Sequence, residues 1–305
     1  MTDGGARPPR RITPFGGTRI AASAPDFPLS TLETEHLAHD ALFEDRAYED
    51  VTTIATVVSD RHARARLVAR THGVLAGVPL AIATFQLLDE KISIRVDRED
   101  AARLNRGDTV FYLSGHARSL LSAERVALNF LQRLSGIATL TRKFVDAVHG
   151  TRAQILDTRK TAPGWRALEK YAVRCGGGVN HRMDLASAVL IKDNHLAALD
   201  GDIGLAVRRC RDHAPKGTFV QVECESAAQV DAAIVARADS VLLDNMHIDL
   251  IADCVMRAKG KAIVEVSGGV TLTTVRTIAE TGVDRIAVGA ITHSAPALDL
   301  ALDFE

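Results

Sequence analysis

Six short apolar segments in the second half of the chain constrain the fold most, because each ends abruptly at polar, charged or glycine residues. The segments are residues 155–161, 189–195, 219–226, 240–246, 262–269 and 285–294. An apolar run of this length between helical patterns is typical of a parallel strand covered on both faces. Barrels of such strands carry their chemistry at the carboxyl ends of the strands. The sequence therefore predicts an α/β barrel and the position of its active site.

The composition limits the classes of partner. The chain has 305 residues, of which 47% are hydrophobic, so it can bury a substantial core in one large domain or two smaller ones. A net charge of −1 provides no overall positive field for nucleic acid or an anionic membrane. No segment reaches the ~18 apolar residues of a membrane span, and the amino terminus lacks the apolar region of a signal peptide. We therefore expect a cytoplasmic protein with no nucleic-acid or membrane partner.

The pattern along the chain predicts three regions. Residues 1–25 are rich in glycine, proline and arginine, which is typical of a disordered tail, either without a role, which we favour, or serving as a partner-binding arm. In residues 26–123, strand-like segments follow one another directly, which favours an antiparallel sheet with helices on one face, an α+β sandwich. Ser30 is the expected N-cap of its first helix. Residues 124–305 form the predicted barrel domain.

A long helical stretch connects the two predicted domains. Ser122 is its expected N-cap, and Ser135-Gly136 mark a candidate kink or interruption. Arg125 lies outside the leucine stripe of this helix. It is therefore either a surface arginine or a side chain that reaches a site on another subunit.

The strand ends and one glycine-rich loop carry the candidate chemistry. Positive side chains are supplied by Arg159, Lys160, Arg182, Lys192 and, when protonated, His181. Desolvated like charges repel unless they are neutralised, so this set implies a polyanionic ligand. The acids Glu223 and Asp244 indicate Mg²⁺, ribose hydroxyls or the stabilisation of a positive transition state. These three alternatives stay open at this point.

Two glycine-containing turns narrow the ligand class. Ser267-Gly268-Gly269 and Gly289-Ala290 follow the last two barrel strands. Barrel enzymes often bind a phosphate with these loops, because exposed N–H groups meet the phosphate oxygens there. The sequence therefore predicts a phosphorylated sugar as the ligand.

Each candidate also has an ordinary structural interpretation. A single lysine or arginine can be a solvated surface charge, and Asp244 can simply cap the following helix. We assign His195 and His293 to hydrogen bonds within loops, and Asp157 to orienting Arg159 or Lys160. Capping alone does not explain several charged groups that end apolar strands in one register.

Six motifs occur in the chain in this order: ERVALNFLQRLSGIAT, ILDTRKTAPGWRALEKYAVRCGGGVNHR, LIKDNH, LLDN, VEVSGGV and GVDRIAVGAITHS. With them the sequence resembles the quinolinate phosphoribosyltransferases, also called carboxylating nicotinate-nucleotide pyrophosphorylases. The resemblance extends from about residue 41 to the carboxyl terminus, and the stretch from DTRKT to DNH is highly specific. It implies an amino-terminal sandwich followed by an incomplete α/β barrel of about seven strands.

The resemblance also implies a reaction and a set of residue roles. Quinolinate and phosphoribosyl pyrophosphate give nicotinate mononucleotide, pyrophosphate and CO₂, with Mg²⁺, in the de novo route to NAD. The implied quinolinate ligands are Arg159, His181, Arg182 and Lys192, with Arg125 donated across a homodimer interface. The implied phosphoribosyl pyrophosphate contacts are Thr158, Lys160, Glu223, Asp244, Ser267, Gly268, Gly269, Gly289 and Ala290. Lys160, Lys192, Glu223 and Asp244 are the implied catalytic residues, with Mg²⁺ near the two acids.

Two departures from the family pattern and two rival functions accompany this hypothesis. Asp184 stands where similar sequences usually have glycine, and Trp165 where leucine is common. If that glycine has a positive φ, aspartate tolerates it better than most residues, but its charge near Arg182 can weaken dicarboxylate binding. The rivals are a phosphoribosyltransferase acting on another base, such as nicotinate, and a non-catalytic phosphosugar-binding barrel.

Overall fold

The computed structural model describes residues 24–305, so most of the predicted tail, residues 1–23, lies outside the described residues. The elements of the first part are α1 (Thr31–Glu44), a 3₁₀ helix (Ala47–Glu49), α2 (Val51–Thr56), β1 (His62–Ala69), β2 (Gly73–Val74), α3 (Val78–Leu88), β3 (Ser93–Val96), β4 (Arg103–Leu104), β5 (Thr109–His116) and α4 (Ala117–Ala147). Those of the second part are β6 (Gln154–Leu156), α5 (Arg166–Cys175), β7 (Val189–Ile191), α6 (Asp193–Ala197), α7 (Ile203–His213), β8 (Val220–Cys224), α8 (Ala227–Val235), β9 (Ser240–Asp244), α9 (Ile248–Ala258), β10 (Ile263–Ser267), α10 (Val275–Glu280), β11 (Arg285–Ala287), α11 (Ala290–His293) and β12 (Leu300–Phe304).

The first helix begins where the sequence predicts. The Ser30 hydroxyl accepts a hydrogen bond from the Glu33 N–H, while the Glu33 carboxylate accepts one from the Ser30 N–H at 2.8 Å. This reciprocal arrangement is a capping box, which satisfies two N–H groups that the helix itself leaves unbonded. The prediction of Ser30 as the N-cap is confirmed.

An antiparallel sheet forms the core of the amino-terminal domain. Its strand order is β12-β1-β5-β3, and the two-stranded β2-β4 pair lies beside it. The last strand of the chain, β12, pairs with β1 over Ala65–Ala69. The predicted range 124–305 therefore includes one strand of the other domain's sheet. Its pairing partner is more than 200 residues away, so no local pattern indicates it.

The connecting helix differs from the sequence prediction in two respects. It begins at Ala117, so Ser122 lies inside the helix, where its hydroxyl bonds Asp50 at 3.0 Å instead of capping the helix. It also continues without a break through Ser135-Gly136. The Ser135 hydroxyl accepts the Ala76 N–H at 2.9 Å. The helix also contains the predicted domain boundary between residues 123 and 124.

Six parallel strands form the barrel wall, in the order β6-β11-β10-β9-β8-β7. They fall in the six apolar segments of the sequence, so the predicted α/β fold is confirmed. An isolated parallel bridge between Leu156 and Val179 adds a seventh position beside β6. Among residues 24–305 no ladder joins this bridge to β7, and the barrel is incomplete.

The two faces of the barrel wall have different chemistry. Val220, Val222 and Cys224 of β8 belong to the main hydrophobic core outside the wall, together with apolar residues of the surrounding helices. Gln221 and Glu223 point to the opposite face, as alternation along a strand requires. The barrel interior is therefore partly polar. None of the helices within residues 24–305 combines the length and hydropathy needed to cross a bilayer.

Gly136 provides a test of how helix α4 packs against the segment that precedes β12. A Cβ atom at this position would lie 2.2 Å from the Pro296 carbonyl oxygen, which is backbone and cannot rotate away. We expect Gly136→Ala to lower the free energy of unfolding by about 1–3 kcal/mol, as overpacking does elsewhere. Urea denaturation measures the change. Lys143→Ala, at an exposed position of the same helix, is the control, and equal stability of the two variants would contradict the close approach.

Candidate active site

The carboxyl ends of the six parallel strands meet at one mouth, and the predicted barrel residues follow them. Thr158, Arg159 and Lys160 follow β6, Lys192 follows β7, Glu223 lies in β8, Asp244 ends β9, Ser267, Gly268 and Gly269 complete and follow β10, and Gly289 and Ala290 follow β11. Contacts link neighbouring positions around this mouth. A Cβ at Gly289 would lie 3.2 Å from Lys160 Cδ, and one at Gly268 would lie 2.2 Å from Asn245 Oδ1.

The two predicted acids have different partners. Lys192 Nζ donates to Glu223 Oε2 at 2.8 Å, and the Glu223 side chain is only 11% exposed. Asp244 accepts a hydrogen bond from the Asn245 side-chain amide at 2.8 Å. Both acids point to the barrel interior, because Glu223 pairs with Leu242, two residues before Asp244 on the next strand. Two neighbouring carboxylates thus face the mouth.

Three cations at the mouth have no carboxylate partner. Arg159, Lys160 and Arg182 form no ion pair within residues 24–305, and the Arg159 Nε is buried without a hydrogen-bond partner. Burial lowers the pKa of Arg182, and the positive charge of Arg159 lowers it further, while Asp184 acts in the opposite direction. Like charges are therefore held close together in a partly desolvated site, which favours an anionic ligand.

The glycine loops present unbonded backbone donors. Gly268 has φ +87° and Gly269 has φ +59°, a region that residues with a side chain rarely adopt. The N–H groups of Gly268, Gly269 and Gly289 donate no hydrogen bond within residues 24–305. The Cβ clash at Gly268 also shows that only glycine lets this loop lie against Asn245. Such donors suit phosphate oxygens.

A buried ion pair holds the glycine-rich loop. Asp157, fully buried at the end of β6, accepts hydrogen bonds from Lys170 Nζ and from the His181 N–H, the latter at 2.8 Å. Lys170 Nζ in turn donates to the His181 carbonyl at 3.0 Å, and Asn180 Nδ2 donates to Asp157 at 2.6 Å. Burial raises the pKa of Asp157 and lowers that of Lys170, and their mutual attraction opposes both shifts. Asp157 thus positions His181, rather than Arg159 or Lys160 as the sequence suggested.

His181 has both ring nitrogens engaged within the protein. Its Nδ1 accepts the Arg182 N–H at 2.8 Å, so the ring proton belongs to Nε2. Nε2 lies 3.2 Å from Gln221 Oε1 and 3.4 Å from Glu265 Oε1. In this arrangement the ring is a neutral N–H donor directed into the barrel, and it does not add to the positive charge of the site.

Several buried polar residues that the sequence did not predict lie next to the site. Lys170 and Glu169 lie inside, and Glu169 accepts a hydrogen bond from Arg133 at 2.6 Å. Glu265 is fully buried in the middle of the apolar segment VEVS. Alternation with Ser267 places Glu265 on the interior face, and this signal was available in the sequence. Lys170 gave no comparable signal, because it lies in a helix rich in charged residues.

Arg125 is not brought to the mouth within this chain. It is exposed on α4 and lines a surface depression with Arg46, Asp50, Val51 and Ser122. It makes no hydrogen bond with another residue among 24–305. A role at the barrel mouth therefore requires a second chain.

The two departures from the family pattern have local explanations. Asp184 has no positive φ, so the conformational question raised by the sequence does not arise. Its carboxylate accepts the N–H groups of Ala186 and Ser187 at 2.9 and 2.8 Å and stabilises a turn. Trp165 stacks on Phe130, with ring centroids 5.6 Å apart. Both side chains thus contribute packing or turn structure beside the site.

Comparison with known proteins supports the assignment of family. The family model "Quinolinate phosphoribosyl transferase, N-terminal domain" matches residues 50–135, and "Quinolinate phosphoribosyl transferase, C-terminal domain" matches residues 137–303. The chain is 45% identical over 272 residues to the nicotinate-nucleotide pyrophosphorylase [carboxylating] of Mycobacterium leprae, covering 86% of this chain and 94% of the relative. It is 38% identical over 275 residues to the probable enzyme of that name from Bacillus subtilis, covering 90% and 94%.

A solved structure agrees with this assignment. The nicotinate-nucleotide pyrophosphorylase of Francisella tularensis superposes with a TM-score of 0.86 at 40% identity, covering 91% of this chain and 98% of that one. The two family models follow one another along most of the chain, and the relatives match it over nearly their whole length. The chain therefore belongs to the quinolinate phosphoribosyltransferase family.

Proposed function

We propose that this protein transfers the phosphoribosyl group of phosphoribosyl pyrophosphate to quinolinate and decarboxylates the product, yielding nicotinate mononucleotide, pyrophosphate and CO₂ in NAD biosynthesis. The observation that supports this function best is the group of unpaired cations Arg159, Lys160 and Arg182 at the barrel mouth. Uncompensated positive charge of this density suits two substrates that are both polyanions. The names of the Mycobacterium leprae and Bacillus subtilis relatives describe the same carboxylating nicotinate-nucleotide chemistry.

The quinolinate subsite lies at the Arg159–Arg182 side of the mouth. Arg159 is close enough to lower the pKa of Arg182. Two neighbouring guanidinium groups match two adjacent carboxylates, which they bind through paired N–H donors. Lys192, held at 2.8 Å from Glu223, completes this side. We assign His181 a contact through its ring and Arg125 a contact from a second subunit.

The phosphoribosyl pyrophosphate subsite lies at the glycine loops. The free N–H groups of Gly268, Gly269 and Gly289 suit the 5′-phosphate, together with Ser267 and Ala290. Lys160, lying against Gly289, and Thr158 are placed to contact the pyrophosphate. Glu223 and Asp244 face the ribose.

The proposed reaction proceeds in two steps. The pyridine nitrogen forms a bond to the ribose anomeric carbon as the bond to pyrophosphate breaks, with Glu223 and Asp244 stabilising the positive charge that develops on the ribose. The resulting pyridinium then loses CO₂ from C2, and the electron pair left on C2 is stabilised by the adjacent positive nitrogen. Lys192, whose side chain is 46% exposed, donates from Nζ the proton that C2 takes up and regains one from solvent.

Glu223 and Asp244 can hold Mg²⁺ only together with the phosphates of a substrate. No group of three or more His, Cys, Asp or Glu side chains within residues 24–305 is arranged to hold a metal ion. Mg²⁺ is commonly held by one or two carboxylates together with substrate phosphates, and Glu223 and Asp244 supply two such carboxylates. Bound there, Mg²⁺ would neutralise charge on the leaving pyrophosphate.

An exposed apolar surface supports the proposed homodimer. Phe43, Tyr48, Val51 and Ile54 are 73%, 54%, 78% and 50% exposed, within 12 positions of one another in sequence. Large exposed apolar clusters of this kind mark protein interaction sites. Val51 lines the same depression as Arg125. A second copy that covers this surface meets Arg125, which is the arrangement that a shared active site needs.

The cytoplasmic location stays a prediction from the sequence.

Substrate choice separates the proposed function from its rivals. We expect turnover of quinolinate with release of pyrophosphate and CO₂, and little turnover of nicotinate, because one carboxylate leaves part of the cation cluster unneutralised. Product analysis with each base and phosphoribosyl pyrophosphate measures this. Preferential turnover of nicotinate would support the related transferase, and absence of pyrophosphate release with either base would support a binding protein.

Arg182→Ala tests the carboxylate subsite. Truncation leaves one substrate carboxylate without its charged partner, so quinolinate binding should weaken by ~2–5 kcal/mol. Isothermal titration calorimetry measures the affinity, with Arg209→Ala, an exposed arginine on α7, as the control. Near-unchanged affinity of the Arg182 variant would contradict its assigned role.

Mixing two inactive variants tests whether Arg125 acts across subunits. Arg125→Ala and Asp244→Asn should each be strongly impaired alone. After the two are unfolded and refolded together, a mixed dimer contains one intact site, so about a quarter of wild-type activity should return if subunits pair at random. Refolding each variant alone is the control. No recovery, with mixed dimers demonstrated by two affinity tags, would place Arg125 outside the partner's site.

A further inference from the structure

Glu265 is a buried carboxyl group whose role the reaction outlined above does not explain. It lies in the middle of β10 with 0% exposure. Strand register aligns it with Leu242 of β9, which in turn aligns with Glu223 of β8. Glu265 therefore points into the barrel at the level of Glu223, one layer below Asp244 and Ser267. It forms part of the floor of the mouth.

Neither oxygen of this carboxyl group has a hydrogen-bond partner. Both Oε1 and Oε2 are buried and unbonded, which is costly unless a donor is close by. Arg285 is aligned with Glu265 on the neighbouring strand, but its guanidinium lies over the Phe219 ring, 5.7 Å from the centroid. The donor that faces Glu265 is the Nε2–H of His181, with 3.4 Å between Nε2 and Oε1.

Gln221 shares the same N–H group. Its Oε1 lies 3.2 Å from His181 Nε2, and its own amide donates to the Ser240 hydroxyl at 3.1 Å. The amide oxygen is therefore directed to the imidazole. Two acceptors on two strands thus face one ring N–H, and the other ring nitrogen accepts the Arg182 N–H at 2.8 Å.

We propose that Glu265 is a positioning residue for the quinolinate subsite, acting through His181. Together with Gln221, it holds the ring in the tautomer with the proton on Nε2, which leaves Nδ1 to accept the Arg182 N–H. That bond fixes the backbone from which the Arg182 guanidinium extends to the substrate carboxylate. This inference rests on the proposed function for its kinetic consequence, while the state of the His181 ring is independent of it.

A chain of contacts of this kind has a specific signature. A neighbouring hydrogen-bond partner decides which nitrogen of an imidazole is protonated. To hold the proton on Nε2, that partner must offer an oxygen acceptor, which can be charged or neutral. Glu265→Gln keeps an oxygen at this position, whereas Glu265→Leu has nearly the same volume and no acceptor. A role in filling space predicts that the leucine variant behaves like wild type. The positioning role predicts that the glutamine variant does.

The kinetic test compares these two variants. We expect Glu265→Leu to raise the KM for quinolinate roughly tenfold, and to change the KM for phosphoribosyl pyrophosphate less than about twofold. Glu265→Gln should stay within about threefold of wild type for both substrates. Glu225→Gln and Glu225→Leu, at an exposed position just after β8, are the matched controls. Equal increases in both KM values, or unchanged values in Glu265→Leu, would overturn the proposal.

A spectroscopic test includes a measurement on wild-type protein, which can overturn the proposal even if Glu265→Leu does not fold. In histidine labelled with ¹⁵N, the two ring nitrogens give separate signals for the protonated and the accepting atom, and His181→Gln identifies the signal of His181. Wild-type protein without substrate should show the proton on Nε2, and Glu265→Leu should show a mixture of tautomers. A wild-type ring protonated on Nδ1, or on both nitrogens at neutral pH, would overturn the proposal.

The two proposals fail in different ways. Wild-type protein that does not turn over quinolinate contradicts the proposed function, yet the His181 spectrum still decides whether Glu265 controls the ring. Combining Gln221→Leu with Glu265→Leu adds a further check, because both residues contact one N–H group. The increase in the KM for quinolinate in the double variant should differ from the product of the increases in the two single variants. Independent effects would mean that the two acceptors do not act on the same ring.

Discussion

The buried ion pair between Asp157 and Lys170 is the interaction on which the active site depends. Removing two charges from water is expensive, and the pair is retained only because nearly every remaining donor and acceptor is satisfied by Asn180 and by the backbone of His181. The pair connects the end of β6, the helix α5 and the glycine-rich loop. If one partner were removed, the other would stay as an unpaired buried charge, at a cost of about 3–5 kcal/mol. The position of the glycine-rich loop, and of Arg182 that follows His181 in it, therefore depends on these two side chains.

The cation cluster itself works against stability. Arg159 and Arg182 repel each other across a partly desolvated site, and the exposed Asp184 partly offsets this charge. A folded protein keeps such an arrangement because the rest of the barrel determines it, and the unfavourable energy is relieved when anionic groups arrive. Under the proposed function, the same residues that lower the stability of the empty protein raise its affinity for the anionic substrates. Binding of either substrate should for this reason stabilise the fold.

The sequence predicted those features that depend on local patterns. The six apolar segments correspond to six parallel strands, because a strand buried on both faces needs an uninterrupted apolar run. Ser30 was identifiable as an N-cap from its neighbours. By contrast, the helical start at Ala117 and the pairing of β12 depend on tertiary contacts, which override local preferences. Alternation along the strand places Glu265 on the interior face, but a single acid inside an apolar segment resembles a surface position.

The return of β12 to the first sheet has a consequence for the order in which the chain folds. Strand β1 pairs with β5 on one side and with β12 on the other, and β12 contains the last strand residues of the protein. During synthesis the amino-terminal domain emerges first, but one edge of β1 has no partner until β12 has left the ribosome. The first domain is thus completed only after all the barrel strands have been synthesised. Shortening the chain by a few residues at its end would leave that edge open to pairing with other molecules.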